Sequence, residues 1–194
     1  MDTLISDLIH ELQCFPLIPS AYHRKLNCGS SHTFGLVPKR SCTPELSSIS
    51  IERTRLYSLL SRLATHYGIQ DYTSITVQHN YSLIRRKEKA GGPSHLIVLG
   101  TYQDTGIQIG ERGLVNTQGL LTFDTSKESL VPSRVSKGDR YLILYHSVPC
   151  ENFQPPTFSE HNGSVKLHCG EHTALSRRTF SVRFEEKETI IDFS

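Results

Sequence analysis

Three groups of side chains have the types and spacing to do chemistry. Arg140 stands at the head of the apolar run GDRYLILYH. A guanidinium there can meet a carboxylate with two parallel hydrogen bonds and stays charged when buried. The run IRRKEK gathers Arg85, Arg86, Lys87 and Lys89, and Arg177, Arg178 and Arg183 form a second basic group. Such clusters attract phosphate, other anions or acidic protein surfaces. The tail SEHNGSVKLHCGEHT holds His161, His168, Cys169, Glu171 and His172. With Cys150 these offer enough imidazole and thiolate for zinc. Neighbouring strand residues point to opposite faces, so His168 and Cys169 share a metal only if Gly170 reorients one of them. Cys28, His32 and Cys42 are a further zinc candidate whose spacing matches no paired-ligand pattern. Cys169 beside His172 has the atoms of a nucleophile and its base but no strand-to-helix elbow.

The bounds around these groups are ordinary. At 194 residues the chain can form one domain that buries roughly 70% of its unfolded surface. The formal net charge of +2 gives no whole-chain field for nucleic acid, so any such binding has to be local. Five cysteines at irregular spacing argue against a disulfide framework. No apolar run approaches the roughly 18 to 20 residues of a membrane span, and no signal peptide opens the chain. The expectation is a reduced, cytoplasmic protein with no membrane partner.

The elements that must position the candidates follow from periodicity. Leu4, Ile5, Leu8, Ile9 and Leu12 make a helical stripe over 3–13. Residues 15–50, with Pro16, Pro19, Pro38 and Pro44, read as an irregular wrapping segment with one or two short strands near Thr33 to Val37. Ser50 is the expected cap of a second helix, with Leu56, Leu59, Leu60 and Leu63 on one face and Gly68 as its stop. Strands are expected at 74–81, 94–100, 106–109, 120–123 and 140–145, separated by glycine-rich turns. Residues 148–163 read as a linker, and 164–168, 179–184 and 189–193 as three further strands. The chain therefore divides into an N-terminal helix and wrapping segment (1–50), a β core (51–147) and a β-rich extension (148–194). The fold class is mainly β with flanking helices, and a jelly roll is the simplest closed arrangement.

The helix before the sheet, the strands TVQHNY, SHLIVLG and LLTFD, the run GDRYLILYH and, more weakly, SHTFG at 31–35 carry a resemblance. Together they resemble the double-stranded β-helix of the 2-oxoglutarate and iron(II) dependent oxygenases, in particular the AlkB-like branch that demethylates nucleic acid. The resemblance implies that Arg140 pairs with the distal carboxylate of 2-oxoglutarate and that Tyr81 of an N-x-Y motif contacts the same cosubstrate. His79 stands where that motif has asparagine, unless Gln78 serves one position earlier. The bland alternative for Arg140 is a strand-edge arginine after a Lys-Gly-Asp turn.

The same resemblance implies a facial triad of two histidines and a carboxylate around iron. The residues for it are missing: Arg85 and Lys87 fall on the first ligand pair, and Val131 or Pro132 on the distal histidine. A guanidinium and an ammonium have no lone pair to give a metal. His146 lies six residues beyond Arg140, away from any ligand position. The sequence thus points to a degenerate, non-catalytic member that binds RNA or a protein, virus-encoded or cellular, with no cofactor. Arg85, Arg86, Lys87 and Lys89 would form the binding mouth. Two alternatives stay open. One is an active oxygenase using 2-oxoglutarate and Fe(II), with ligands relocated to His79, His95 and either Asp104 or Glu88. The other is an interaction module whose 15–50 loop contacts a partner.

Overall fold

The computed structural model describes residues 2–14, 16–26, 28–38, 44–82, 92–103, 106–115, 119–150 and 155–169. Helix α1 (Asp2–Cys14) forms where the stripe requires it, with Leu8 and Leu12 fully turned inward. It packs on α4 (Thr54–His66), which buries Leu56, Leu59, Leu60 and Leu63. The two helices are tied at the rim by Arg55 and Glu11, 3.4 Å apart. Gly68, at φ +69, ends the helical segment as expected, because a left-handed residue there lets Ile69 N–H reach back to Ala64 O.

The expected cap is different. Ser50 lies inside a separate short helix, α3 (Ser48–Glu52), and Arg53 breaks it from α4 with non-helical φ/ψ of −122 and 49. Ser50 Oγ instead accepts the N–H of Gly35 at 2.8 Å and shares a 2.7 Å bond with Ser47 Oγ. A long-range partner, β1, has claimed the hydroxyl that local capping rules assign to the helix.

Six antiparallel strands make the main sheet: β1 (Ser30–Val37), β2 (Glu45–Leu46), β3 (Ser74–His79), β4 (Pro93–Gln103), β7 (Gly119–Asp124) and β9 (Lys137–His146), in the order β2-β1-β3-β9-β4-β7. A second sheet of β5 (Ile107–Ile109), β6 (Leu114–Val115) and β8 (Leu130–Pro132), in the order β6-β5-β8, covers part of it. The 15–50 region is thus not simple wrapping. It contains helix α2 (Ala21–Leu26) and an eight-residue strand that pairs with β3 from Ser30–His79 to Gly35–Ser74. Its inner face carries Ser31 and Thr33 where apolar residues would have announced a core strand, which is why alternation understated it.

Two apolar layers follow from the period of two. Phe34, Ile75, Val77, Ile97, Leu99, Tyr141, Ile143 and Tyr145 face the helices. Leu96, Val98, Leu142, Leu144 and Phe123 face inward onto Ile107, Ile109 and Leu130 of the second sheet. In the tail, β10 (Thr157–His161) and β11 (Ser164–His168) form a hairpin through Asn162 and Gly163, both with positive φ. Residues 157–161 are therefore strand and not linker, since an Asn-Gly pair matches the twist of a two-residue hairpin. The hairpin docks on the helix layer, with Phe158 edge-on to Tyr57 at 5.2 Å. The candidate strands at 179–184 and 189–193 lie outside the described residues.

Burial pushes the phenols of Tyr57, Tyr72, Tyr141 and Tyr145 above the ordinary value of 10. Tyr145 also donates to Leu60 O at 2.8 Å. The folded state holds these protons when the unfolded chain, titrating near pH 10, has begun to release them. The stabilisation is therefore complete below pH 10 and lost as pH rises above it. Melting temperature should stay level from pH 7 to about 9 and fall beyond pH 10, with tyrosinate absorbance rising in step with unfolding. Ready titration of all the tyrosines in a chain still folded would contradict the packing described.

Candidate functional site

The chemistry-bearing residues meet where β3 ends and β9 begins. Asn80, at φ +48, closes this ladder. Its N–H donates to Arg140 O at 2.9 Å, its Oδ1 accepts Arg140 N–H at 2.8 Å, and its Nδ2 donates to Gly138 O at 3.2 Å. The Arg140 side chain is wholly buried on the inward face. Its Nη2 donates to Tyr81 O at 2.8 Å and to Ser133 O at 2.6 Å, and its Nη1 lies 3.5 Å from Ser133 Oγ. The guanidinium carbon is 5.8 Å from the centre of the Tyr102 ring. Gly100, directly across the ladder, presents no side chain to obstruct it. Arg140 and Tyr81 are brought together as the sequence suggested, but through the Tyr81 carbonyl. The Tyr81 ring stands edge-on to His23 at 5.4 Å.

Strand register decides what else shares this space. Gln78 points inward and donates to Ser31 Oγ at 3.4 Å, while His79 points to the helix side. A polar file runs along the inward face from Thr33 Oγ1 through Thr76 Oγ1 (3.0 Å) to His146 Nε2 (2.9 Å). Val131 pairs with Gln108, and Leu130 and Pro132 pair with the inward Ile109 and Ile107. So of the two positions considered for a distal histidine, Pro132 is the inward one. His146 is the single inward histidine among the described strands, and no group of three His, Cys, Asp or Glu side chains comes together among the described residues. Among the described residues this donor set does not fit iron(II).

The two histidines of the relocated set are not brought together either. His79 lies in the row of Tyr141 and His95 in the row of Tyr145, four residues away along β9. That is about 13 Å at strand rise, against the few ångströms two ligands of one ion allow. His79 Nε2 is 2.7 Å from Asp139 Oδ1 and its ring stacks on Tyr141 at 4.8 Å. His95 Nδ1 bonds Thr122 Oγ1 at 3.0 Å, and His32 Nε2 donates to Ile18 O at 2.8 Å. Glu88, Asp104 and the basic residues Arg85, Arg86, Lys87 and Lys89 lie outside the described residues, as do Cys42, Glu171 and His172.

In the tail, His168 Nε2 bonds Ser159 Oγ at 2.7 Å. Cys169 packs on the helix-side core, and burial pushes its thiol up. A raised pKa keeps it a thiol at neutral pH, the wrong state for a nucleophile. Cys28 is buried and donates to His23 O at 3.6 Å.

Sequence reasoning missed a cleft of about 310 Å³ at the same end of the sheet but on its helix side, lined in part by Leu17, Ser30, His79, Asn80, Arg134 and Val135. Its one signal was the Gly29-Ser30 pair: Gly29 has φ +82, and a Cβ there would sit 2.2 Å from His79 O, so the chain must press against β3. A larger cleft of about 640 Å³ lies around Gly110 and Ser129. There Arg112 makes a bidentate pair with Glu128 at 2.7 and 2.8 Å and also donates to Thr122 O, a brace between the two sheets.

The chain matches no protein-family model, and no curated protein matches it in sequence. Solved structures do match. NgTET1 in complex with 5mC DNA superposes with a TM-score of 0.52 at 12% identity, over 76% of this chain and 68% of that one. A Pseudomonas putida prolyl-4-hydroxylase gives 0.40 at 12% identity, over 74% of this chain and 85% of that one. With β3-β9-β4-β7 of the main sheet facing β8-β5-β6 across an apolar interior, the chain has a double-stranded β-helix fold, the one it shares with the NgTET1 structure.

Proposed function

We propose that this chain is a degenerate relative of the AlkB-like oxygenases that has given up iron-dependent oxidation and works by binding RNA. What supports the loss of catalysis is Arg140. Its guanidinium is enclosed and donates to the carbonyls of Tyr81 and Ser133, so the charge a cosubstrate carboxylate would meet is already engaged by the protein's own backbone. Around it the interior is Leu96, Val98, Leu142, Leu144, Ile107 and Leu130.

RNA is supported by the order of the chain. The segment with Arg85, Arg86, Lys87 and Lys89 leaves the sheet just after Tyr81, beside Arg140, and returns at β4. Its first end is therefore fixed at the mouth beside Arg140, while β4, into which it leads, begins at the opposite end of the sheet, with His95 pairing Tyr145 and Gly100 pairing Arg140. The neighbouring NgTET1 structure holds DNA on the same fold, which adds to the case for nucleic acid. Phosphate contacts of this kind supply affinity and salt dependence without reading sequence. Cys14, Cys28 and Cys169, which form no disulfide, suit a reducing cytoplasm, and no helix among the described residues is long and apolar enough to cross a membrane.

Fluorescence anisotropy with a single-stranded RNA, repeated over a salt series, tests this. Replacing Arg85, Arg86 and Lys87 together by alanine should weaken binding and reduce the slope of log K against log salt by about 2, at about 0.7 per phosphate contact on a single strand. An unchanged slope would remove RNA from this segment and leave a protein partner as the reading to pursue.

A further inference from the structure

The cleft opens at the same end of the sheet as Arg140: Ser30 and His79 line it from the face opposite the Arg140 side chain, and Arg134, which also lines it, directly follows Ser133, an acceptor of the Arg140 guanidinium. Ser30 opens β1 inside it, 1% exposed, with its Oγ lacking any hydrogen-bond partner. Buried hydroxyls are almost always satisfied, so an orphan lining a cleft points to a missing acceptor. Directly across the ladder stands His79. Asp139 holds its Nε2 and Tyr141 stacks on its ring, which fixes the imidazole and leaves Nδ1 as its second polar atom. Arg134 lines the same cleft, exposed and with no hydrogen bond or ion pair among the described residues. Leu17, Pro19 and Val135 supply an apolar wall.

These groups do not make a hydrolytic relay. Ser30 Oγ has no hydrogen bond to His79, so the base is not in reach of the hydroxyl as nucleophilic catalysis requires. They are separate contacts around one volume, which is at the small end of ligand pockets. The donors are a neutral hydroxyl and a forked cation, which together favour an oxyanion. The imidazole adds a choice between oxyanions. A phosphate monoester presents three terminal oxygens, enough to meet the fork of Arg134 and the Ser30 hydroxyl and still contact Nδ1, where a carboxylate presents only two.

We propose that this cleft binds a phosphate monoester carried on a small apolar body. Arg134 meets two phosphate oxygens, Ser30 Oγ donates to a third, His79 Nδ1 hydrogen-bonds the phosphate, and the body rests on Leu17, Pro19 and Val135.

Calorimetric titration of the full chain with phenyl phosphate and with inorganic phosphate tests it. One saturable site is expected, with phenyl phosphate bound at least tenfold more tightly. Arg134→Ala and Ser30→Ala should each weaken that binding about tenfold or more, a charged and a neutral contact to the same group. Melting separates a lost contact from a damaged fold. Arg134→Ala should melt like the parent, and Ser30→Ala should melt about 2 to 4 °C higher without ligand, since it removes an unsatisfied hydroxyl. Absence of saturable binding, binding unmoved by both substitutions, or a lower melting point for Ser30→Ala would each overturn the proposal. Equal affinity for the two phosphates would overturn the apolar body.

Discussion

Arg140→Ala is expected to destabilise the fold by about 3 to 5 kcal/mol, on the scale of the largest core truncations. The residue is fully buried and its guanidinium satisfies the carbonyls of Tyr81 and Ser133. Truncation leaves both acceptors without a donor and opens a void under Tyr102. Arg140→Lys should recover only part of the loss, since an ammonium on a flexible stem cannot span the two carbonyls as the fork does. Urea unfolding of the parent and both variants measures this. Titration of the parent with 2-oxoglutarate, with and without manganese(II) in place of iron(II), completes it, with no saturable binding expected. Were the alanine variant as stable as the parent, and the parent to take up 2-oxoglutarate, Arg140 would be a cosubstrate residue and the binding-only reading would fail.

The second large effect is expected at the glycines that bring β4 and β9 together beside Arg140. Gly100 has φ +108, and a Cβ there would lie 2.1 Å from Asp139 O; Gly138 has φ +86, with its Cβ 2.1 Å from Thr101 O. Each obstacle is backbone of the paired strand, in a ladder that runs from His95–Tyr145 to Gln103–Lys137, so it cannot swing away as a side chain would. Gly100→Ala and Gly138→Ala should each cost about 3 kcal/mol or more, the left-handed penalty of 1 to 2 kcal/mol plus a displaced strand. Gly113→Ala provides the comparison. Its φ is +81 but nothing lies within 4 Å, so the penalty of about 1 to 2 kcal/mol should stand alone. Equal losses at positions 100, 113 and 138 would mean that this end of the ladder is loose, and that the Arg140 enclosure is looser than described.

Much of the fold was legible because its signals are short-range. The stripe of α1, the Leu56–Leu63 face of α4 and the continuous run HLIVLG of β4 each announce an element within a dozen residues. From their sequence of types the mainly β architecture with flanking helices followed, and the resemblance carried by those runs implied the double-stranded β-helix. Elements whose stability comes from distant partners were read less well. Strand β1 was read only as a short strand near Thr33 to Val37 because Ser31 and Thr33 face inward without apolar side chains, and Ser50 looked like a cap because only the folded sheet supplies the Gly35 N–H that it accepts.

The site divides the same way. The sequence alone determined which charged and polar residues exist near the β3–β9 junction. Only the tertiary structure decided which face each one joins. Along a strand the facing alternates with every residue, so Gln78 and His79, one position apart, end in different layers, and the pairing of β3 with β9 separates His79 from His95. Likewise, whether Arg140 waits for a ligand or is closed by Tyr81 and Ser133 depends on where residue 133 arrives after β8. That is set by hydrogen bonds between strands far apart in the chain, and no local pattern encodes them.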